Sequence, residues 1–295
     1  MREIIIDCLL DSLKMLPIIF LTYVIIEFIE RKAEFAKNGK FLKGKAAPVF
    51  GSLFGAFPQC GISVMSAKLY EKGLISVGTL LAVFISTSDE AFSILISSPQ
   101  RLSLVPLLII KIMLAIVIGE IANMIFKKKT TPEDEDFEHE EICAHCHNHG
   151  TEEMAGEKKS QVILKRYMLI PFLHSLQTFA YVLGVTLVFG ILFAEGGIIG
   201  AEKLAAFLEG SEFFAPFITA LVGLIPNCAS SAVITSAYIN GAISFGAMTA
   251  GLISNAGVGL AILLKNTKKL KRNLIIIASL YLIGTIAGVI ITLIY

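Results

Sequence analysis

Residues 47–70 read APVFGSLFGAFPQCGISVMSAKLY, and residues 215–238 read APFITALVGLIPNCASSAVITSAY. The two stretches align without a gap. Ala-Pro opens both, Pro58-Gln59-Cys60 answers Pro226-Asn227-Cys228, and Tyr70 and Tyr238 close them. The match continues at constant spacing, with Gly73, Ser76, Gly78, Ala82 and Ser86 paired with Gly241, Ser244, Gly246, Ala250 and Ser254. Internal symmetry on this scale marks a duplicated unit with a Pro-x-Cys breakpoint in each copy.

The composition says where those copies reside. Of 295 residues, 55% are hydrophobic and 17% charged, and the mean hydropathy is +0.75, which removes the chain from the soluble class. Apolar runs of roughly 20 residues recur along it, the length that a helix needs to cross about 30 Å of hydrocarbon. The first run carries Asp7, Asp11 and Lys14 and leads into a basic loop rather than a small-residue cleavage site, so it is read as a span and not as a signal peptide. A net charge of +1 with no basic domain gives no reason to expect nucleic acid. The five cysteines are Cys8, Cys60, Cys143, Cys146 and Cys228; three lie in apolar segments, against a secreted disulfide framework.

Working outward from the duplicated stretches, a first span runs from about Ile4 to Ile29 and ends in a loop bearing Arg31, Lys32, Lys37, Lys40, Lys43 and Lys45. Excess Lys and Arg places that loop in the cytoplasm. Each Pro-x-Cys stretch has two arms of about 10–12 residues, half a bilayer each, which predicts a re-entrant hairpin or two short helices. The run from Gly73 to Ile96 is interrupted at Ser86-Thr87-Ser88-Asp89-Glu90, and the run from Gly241 to Leu264 at Ser254-Asn255-Ala256-Gly257. Both are read as discontinuous helices. Spans at residues 102–126, from about Tyr167 to Phe193, and from the basic cluster Lys265–Arg272 to Tyr295 complete the plan. The span at 102–126 ends in Lys127, Lys128 and Lys129, again a cytoplasmic mark, and loops at 31–45, 127–166 and 265–272 on one side put both termini outside and each half across the membrane an odd number of times. The halves are therefore expected to be inverted.

The predicted fold is thus an all-α integral membrane protein built from two inverted-topology repeats: residues 1–126, an acidic His/Cys-rich cytoplasmic loop at 127–166, and residues 167–295. Hydropathy can count ten helices where this reading has six full spans and two hairpins. Inverted repeats bring equivalent breakpoints together near the midplane, so Cys60 and Cys228 are expected to lie close to each other.

Proline removes a backbone donor and frees carbonyls that lipid cannot satisfy, so the breakpoints must face protein or a watery cavity. That makes Gln59, Cys60, Ser63, Asn227, Cys228, Ser230, Ser231, Ser254 and Asn255 the candidate substrate-binding groups; the plain alternative is a pair of healed proline kinks. A cysteine in a membrane helix is usually a small hydrophobe, the reading given to Cys8. Two equivalent cysteines at breakpoints would, as thiolates, suit soft cations or trivalent arsenic-like species. Asp89 and Glu90 have non-ionisable counterparts, Gly257 and Val258. As intramembrane carboxylates they are candidates for coupling, with Lys111 on the next span as an ion-pair partner or an exchangeable counter-charge. Asp11 aligns weakly with His174, for which packing is the simpler role. In the central loop His139, Cys143, His145, Cys146, His147 and His149 offer thiols and imidazoles that favour Zn(II), Cu(I) or similar ions. Solvated filler is the alternative there. No Walker loop occurs and no cofactor is expected.

The duplicated Pro-Gln-Cys-Gly and Pro-Asn-Cys-Ala, the inverted halves and the His/Cys-rich loop resemble the ten-helix heavy-metal exporters, a family akin to the arsenic efflux permeases and also labelled manganese or arsenic transporters. The resemblance covers nearly the whole chain. It implies an inner-membrane permease that exports a metal or metalloid ion, and points to Cys60 and Cys228 with Gln59 and Asn227 beside them. The expected function is a secondary transporter whose partners are that ion and the lipid bilayer, with room for a homo-oligomer. The alternatives are a transporter of a small organic or inorganic anion held by half-helix amide ends, and an intramembrane thiol oxidoreductase using Cys60 and Cys228.

Overall fold

The computed structural model describes residues 9–10, 13, 16–24, 44, 46–87, 89–127, 170–193, 214–266 and 269–294. The central loop, most of the leading span and the loop preceding residue 214 lie outside them, as do the side chains of Cys60, Asp89 and His174. All regular structure among the described residues is helical. After the helical residues 16–24 come α1 (Ala47–Gly55), α2 (Cys60–Glu71), α3 (Val77–Ser86), α4 (Asp89–Ile96) and, past a 3₁₀ turn at Arg101–Ser103, α5 (Leu104–Lys127). Then follow α6 (Ile170–Phe193), α7 (Ala215–Gly223), α8 (Cys228–Ile239), α9 (Phe245–Ser254), α10 (Gly259–Lys265) and α11 (Leu270–Ile294).

The same local chemistry bounds equivalent helices. Pro48 and Pro216 sit in the first turns of α1 and α7, where a missing N–H costs nothing. At the ends of α2 and α8, Gly73 (φ 67°) and Gly241 (φ 75°) take the left-handed conformation. Leu74 N–H then bonds Leu69 O, and Ala242 N–H bonds Ala237 O, both at 2.9 Å, the Schellman closure that satisfies carbonyls at a helix end. Ser76 and Ser244 cap α3 and α9 by accepting from Thr79 N–H and Ala247 N–H, each at 3.2 Å.

Two long helices form the outer walls. α5, with 24 residues, and α11, with 25, are each long enough to span the hydrocarbon. Val105, Ile109, Met113, Val117 and Ile121 form an exposed stripe along α5, and Leu274, Leu282, Ile286, Ile290 and Leu293 line the outside of α11. An apolar stripe directed away from the core is what a lipid environment permits. The broken pairs α3–α4 and α9–α10 run inside these walls, and α9 and α10 meet at a 40° bend. Backbones come close at small residues: a Cβ on Gly78 would lie 2.2 Å from Gly119 O, and one on Gly246 would lie 2.5 Å from Gly288 O.

The halves interlock. α4 packs on α8 and α10 packs on α2, each from the opposite half, while α3 meets α9. One core gathers Leu80, Phe84 and Ile85 with Val258, Leu260 and Ile262. The other gathers Leu95 and Leu107 with Ile234, Met248 and Leu252. Neither core belongs to one half.

Contacts near the helix ends sort the elements. At one end of the bundle Gly78 N–H, starting α3, bonds Asn123 Oδ1 near the end of α5 at 3.2 Å. There too Arg272, starting α11, lies 5.0 Å from the ring of Tyr70 near the end of α2. Asn273 Nδ2 donates to Leu263 O at 2.7 Å, bringing the end of α10 to the same region. At the other end Ser103 Oγ pairs with Tyr238 OH at 2.8 Å, and Tyr238 packs edge-on to Phe245 at 5.9 Å. There Ser244 Oγ and Thr292 Oγ1 are 3.3 Å apart.

Candidate functional site

The two breakpoints share one backbone path. α1 stops at Gly55 and α2 starts at Cys60; α7 stops at Gly223 and α8 starts at Cys228. In the first gap Phe57 N–H bonds Phe54 O at 3.3 Å and Gln59 N–H bonds Phe57 O at 2.8 Å. In the second, Ile225 N–H bonds Val222 O at 3.1 Å and Asn227 N–H bonds Ile225 O at 2.7 Å. Proline stands inside each gap and the residue before each cysteine is extended, at φ −149° for Gln59 and −147° for Asn227. An extended residue there turns the chain into the first turns of α2 and α8, the positive ends of those helices, where Ile62 N–H bonds Gln59 O at 3.1 Å and Ser230 N–H bonds Asn227 O at 3.4 Å.

The second gap is buried at its cysteine end. Asn227 is 3% exposed and Cys228 8%. Asn227 Oδ1 accepts from Ala229 N–H at 3.4 Å, Ser230 Oγ donates to Asn227 O at 2.7 Å, and Ser231 Oγ donates to Cys228 O at 2.7 Å. These bonds tie the polar groups to the first turn of α8. Ser231 also reaches across the halves, with its Oγ 3.5 Å from Glu90 Oε2 on α4. In the equivalent pairing of α10 on α2, a Cβ on Gly259 would lie 2.9 Å from Ser63 O, and Val258, the counterpart of Glu90, is fully buried.

The breaks of the two inner spans form the other part of the site. Thr87 follows α3, with its N–H and Oγ1 both directed to Val83 O at 3.0 and 2.7 Å. Asn255 follows α9, and its Oδ1 accepts from Gly257 N–H at 2.7 Å. Gly257 itself has φ 52°. Ser254 Oγ donates to Leu280 O at 3.3 Å, which joins the last turn of α9 to α11.

Lys111 lies between the breaks. Its side chain is wholly buried, and Nζ donates to Thr87 O and, at 2.9 Å, to Leu252 O. The sequence suggested a carboxylate partner. The structure adds two main-chain acceptors, one from each half, both at helix ends where the i+4 donor is missing. A carbonyl has no sequence signature, so these partners were not readable beforehand.

Of the candidate residues, the structure thus brings Ser231 to Glu90 and Lys111 to the breaks of both halves. The distance between the Cys60 and Cys228 thiols, the orientation of Asp89, and the His139, Cys143, His145, Cys146, His147 and His149 group lie outside the described residues. Among the described residues, no three His, Cys, Asp or Glu side chains converge as a metal-ligand group.

Apolar outer walls around two interrupted, buried spans are those of a multi-pass membrane protein. The chain belongs to the family described as "Putative, 10TM heavy-metal exporter", which matches residues 1–190 and 175–295. No curated protein and no solved structure matches it.

Proposed function

We propose that the protein is a secondary-active permease that exports a heavy-metal or metalloid ion through a midplane site between two inverted repeats. The observation that carries this reading is the end-to-end sorting of helices. α5 runs from the Tyr238 end to the end where α3 starts, and α11 runs the other way, from the Tyr70 end to the end where α9 starts. Equivalent helices therefore run oppositely. The hairpin arms follow suit: α1 starts near Gly119, late in α5, and α2 ends beside Arg272. α7 runs inward along α9, from Thr219, whose Oγ1 donates to Ala247 O at 2.6 Å, to Gly223 against Gly251, and α8 ends at Tyr238, so both open at the other end. Each hairpin enters and leaves on one side, in favour of re-entrant loops over short crossings.

The leading residues 16–24 meet α6 at Phe20–Phe172 and Tyr23–Thr178, contacts that advance the same way along both helices. Inverted leading spans would run oppositely, so the inverted relation is proposed for α1–α5 and α7–α11 and does not extend to the leading spans. The segments bordering residues 46, 127 and 266 meet one end of the bundle, and the basic clusters there make it the cytoplasmic end of an inner-membrane protein. In this reading both termini are outside, the inverted units are α1–α5 and α7–α11 within the proposed repeats 1–126 and 167–295, and 127–166 is the cytoplasmic loop that collects metal through its histidines and cysteines. Cys60 and Cys228, with Gln59, Ser63, Asn227, Ser230, Ser231, Ser254 and Asn255, bind the ion; Asp89, Glu90 and Lys111 couple its movement to a proton or ion gradient.

A second reading, in which helix amides bind a small anion, would require that anion to displace Asn227 Oδ1 from Ala229 N–H at the start of α8. Purified protein in proteoliposomes separates the two, with efflux measured across soft metals, arsenite and simple anions. Transport of anions alone would overturn the metal reading.

A further inference from the structure

The break region carries its own cation. Gly78 and Gly246 are 168 residues apart but face Gly119 and Gly288, 169 apart, so α11 is displaced by one residue and Lys111 corresponds to Leu280. Leu280 is fully buried and apolar. The ionisable residues Asp89, Glu90 and Lys111 thus belong to the first half, and their counterparts are Gly257, Val258 and Leu280. Lys111 Nζ donates to Thr87 O, just past the end of α3, and to Leu252 O, in the last turn of α9. Each is the negative end of a half-helix, and unwound carbonyls at half-helix C-termini are where broken-helix transporters hold a coupling alkali cation.

From this geometry we propose that the Lys111 ammonium takes the place of a bound alkali ion, tying the two broken spans together so that transport needs neither Na⁺ nor K⁺ at this position. Within the coupling group Lys111 is then the positioning residue: its charge holds the breaks, while Asp89 and Glu90 carry the exchanged proton or ion. The inference rests on the reading that the breaks frame the transport path. A neutral side chain of similar volume would fill the space but leave two buried carbonyls facing an apolar group. A buried acceptor deprived of its donor keeps its full desolvation penalty, so the crossing of the two spans would loosen.

The test uses the full chain in proteoliposomes. Wild-type flux should be equal when Na⁺, K⁺ or choline is the bulk cation, and a requirement for Na⁺ or K⁺ would overturn the proposal. Lys111→Met, close in volume, should insert and lose transport by about tenfold or more, the scale of one lost charge-assisted hydrogen bond; wild-type flux in this variant would also overturn it. Lys111→Ala supplies a readout independent of substrate. Propylammonium should raise its thermal midpoint by several degrees and restore part of its flux, whereas propanol should do neither. Equal rescue by both would mean that Lys111 only fills space. Because the stabilisation is read without substrate, it stands even if the permease reading fails.

Discussion

At the scale of single residues, the two Pro-x-Cys cysteines and Glu90 carry the sharpest expectations. A hydroxyl is a poor ligand for soft ions, so Cys60→Ser and Cys228→Ser should each abolish or strongly reduce metal flux while the protein still inserts. Proteoliposome efflux checks this, and full flux in the double variant would exclude cysteine ligation. Glu90 faces Ser231 across the halves. If it carries the coupling proton, Glu90→Gln should lose flux driven by a pH gradient yet keep substrate counterflow, which needs no net proton movement; loss of both would assign Glu90 to binding instead. The paired prolines and cysteines were legible because duplication writes them twice. The partners of Lys111 were not, because its acceptors at Thr87 and Leu252 are main-chain carbonyls whose availability depends on where helices stop.

Among the elements, close approach of the inner and outer helices is the feature most exposed to substitution. A side chain on Gly78 or Gly246 would strike the backbone of the facing helix at Gly119 or Gly288. Gly78→Leu and Gly246→Leu should therefore separate α3 from α5 and α9 from α11, at a cost on the overpacking scale of about 1–3 kcal/mol each. Thermal unfolding in detergent reads that loss. Gly73→Val and Gly241→Val should cost about 1–2 kcal/mol through the left-handed backbone alone, even though nothing lies within 4 Å of a Cβ at Gly241. The element boundaries were partly legible: the prolines and the Ser86–Glu90 and Ser254–Gly257 interruptions lie where helices stop. The reciprocal packing of α4 on α8 and α10 on α2 was not, since no periodicity records which half an apolar face will meet.

For the whole molecule, the duplicated sequence allows either a parallel or an inverted pair of halves, and charge bias alone chose between them. The helix-end contacts supply an independent argument, because Lys72 and Asn240 occupy equivalent positions just after α2 and α8 yet border opposite ends of the bundle: Tyr70 meets Arg272, whereas Tyr238 meets Ser103. Leu102 and Lys271 form a second equivalent pair under the one-residue displacement of α11, and both are exposed. Single cysteines placed at the four positions should thus be labelled by a membrane-impermeant maleimide in two sets. Lys72→Cys and Lys271→Cys should react only from the cytoplasmic side, and Leu102→Cys and Asn240→Cys only from outside. If Lys72→Cys and Asn240→Cys react from the same side, the halves are parallel, the two hairpins cannot enter from opposite faces, and the midplane site loses its physical basis.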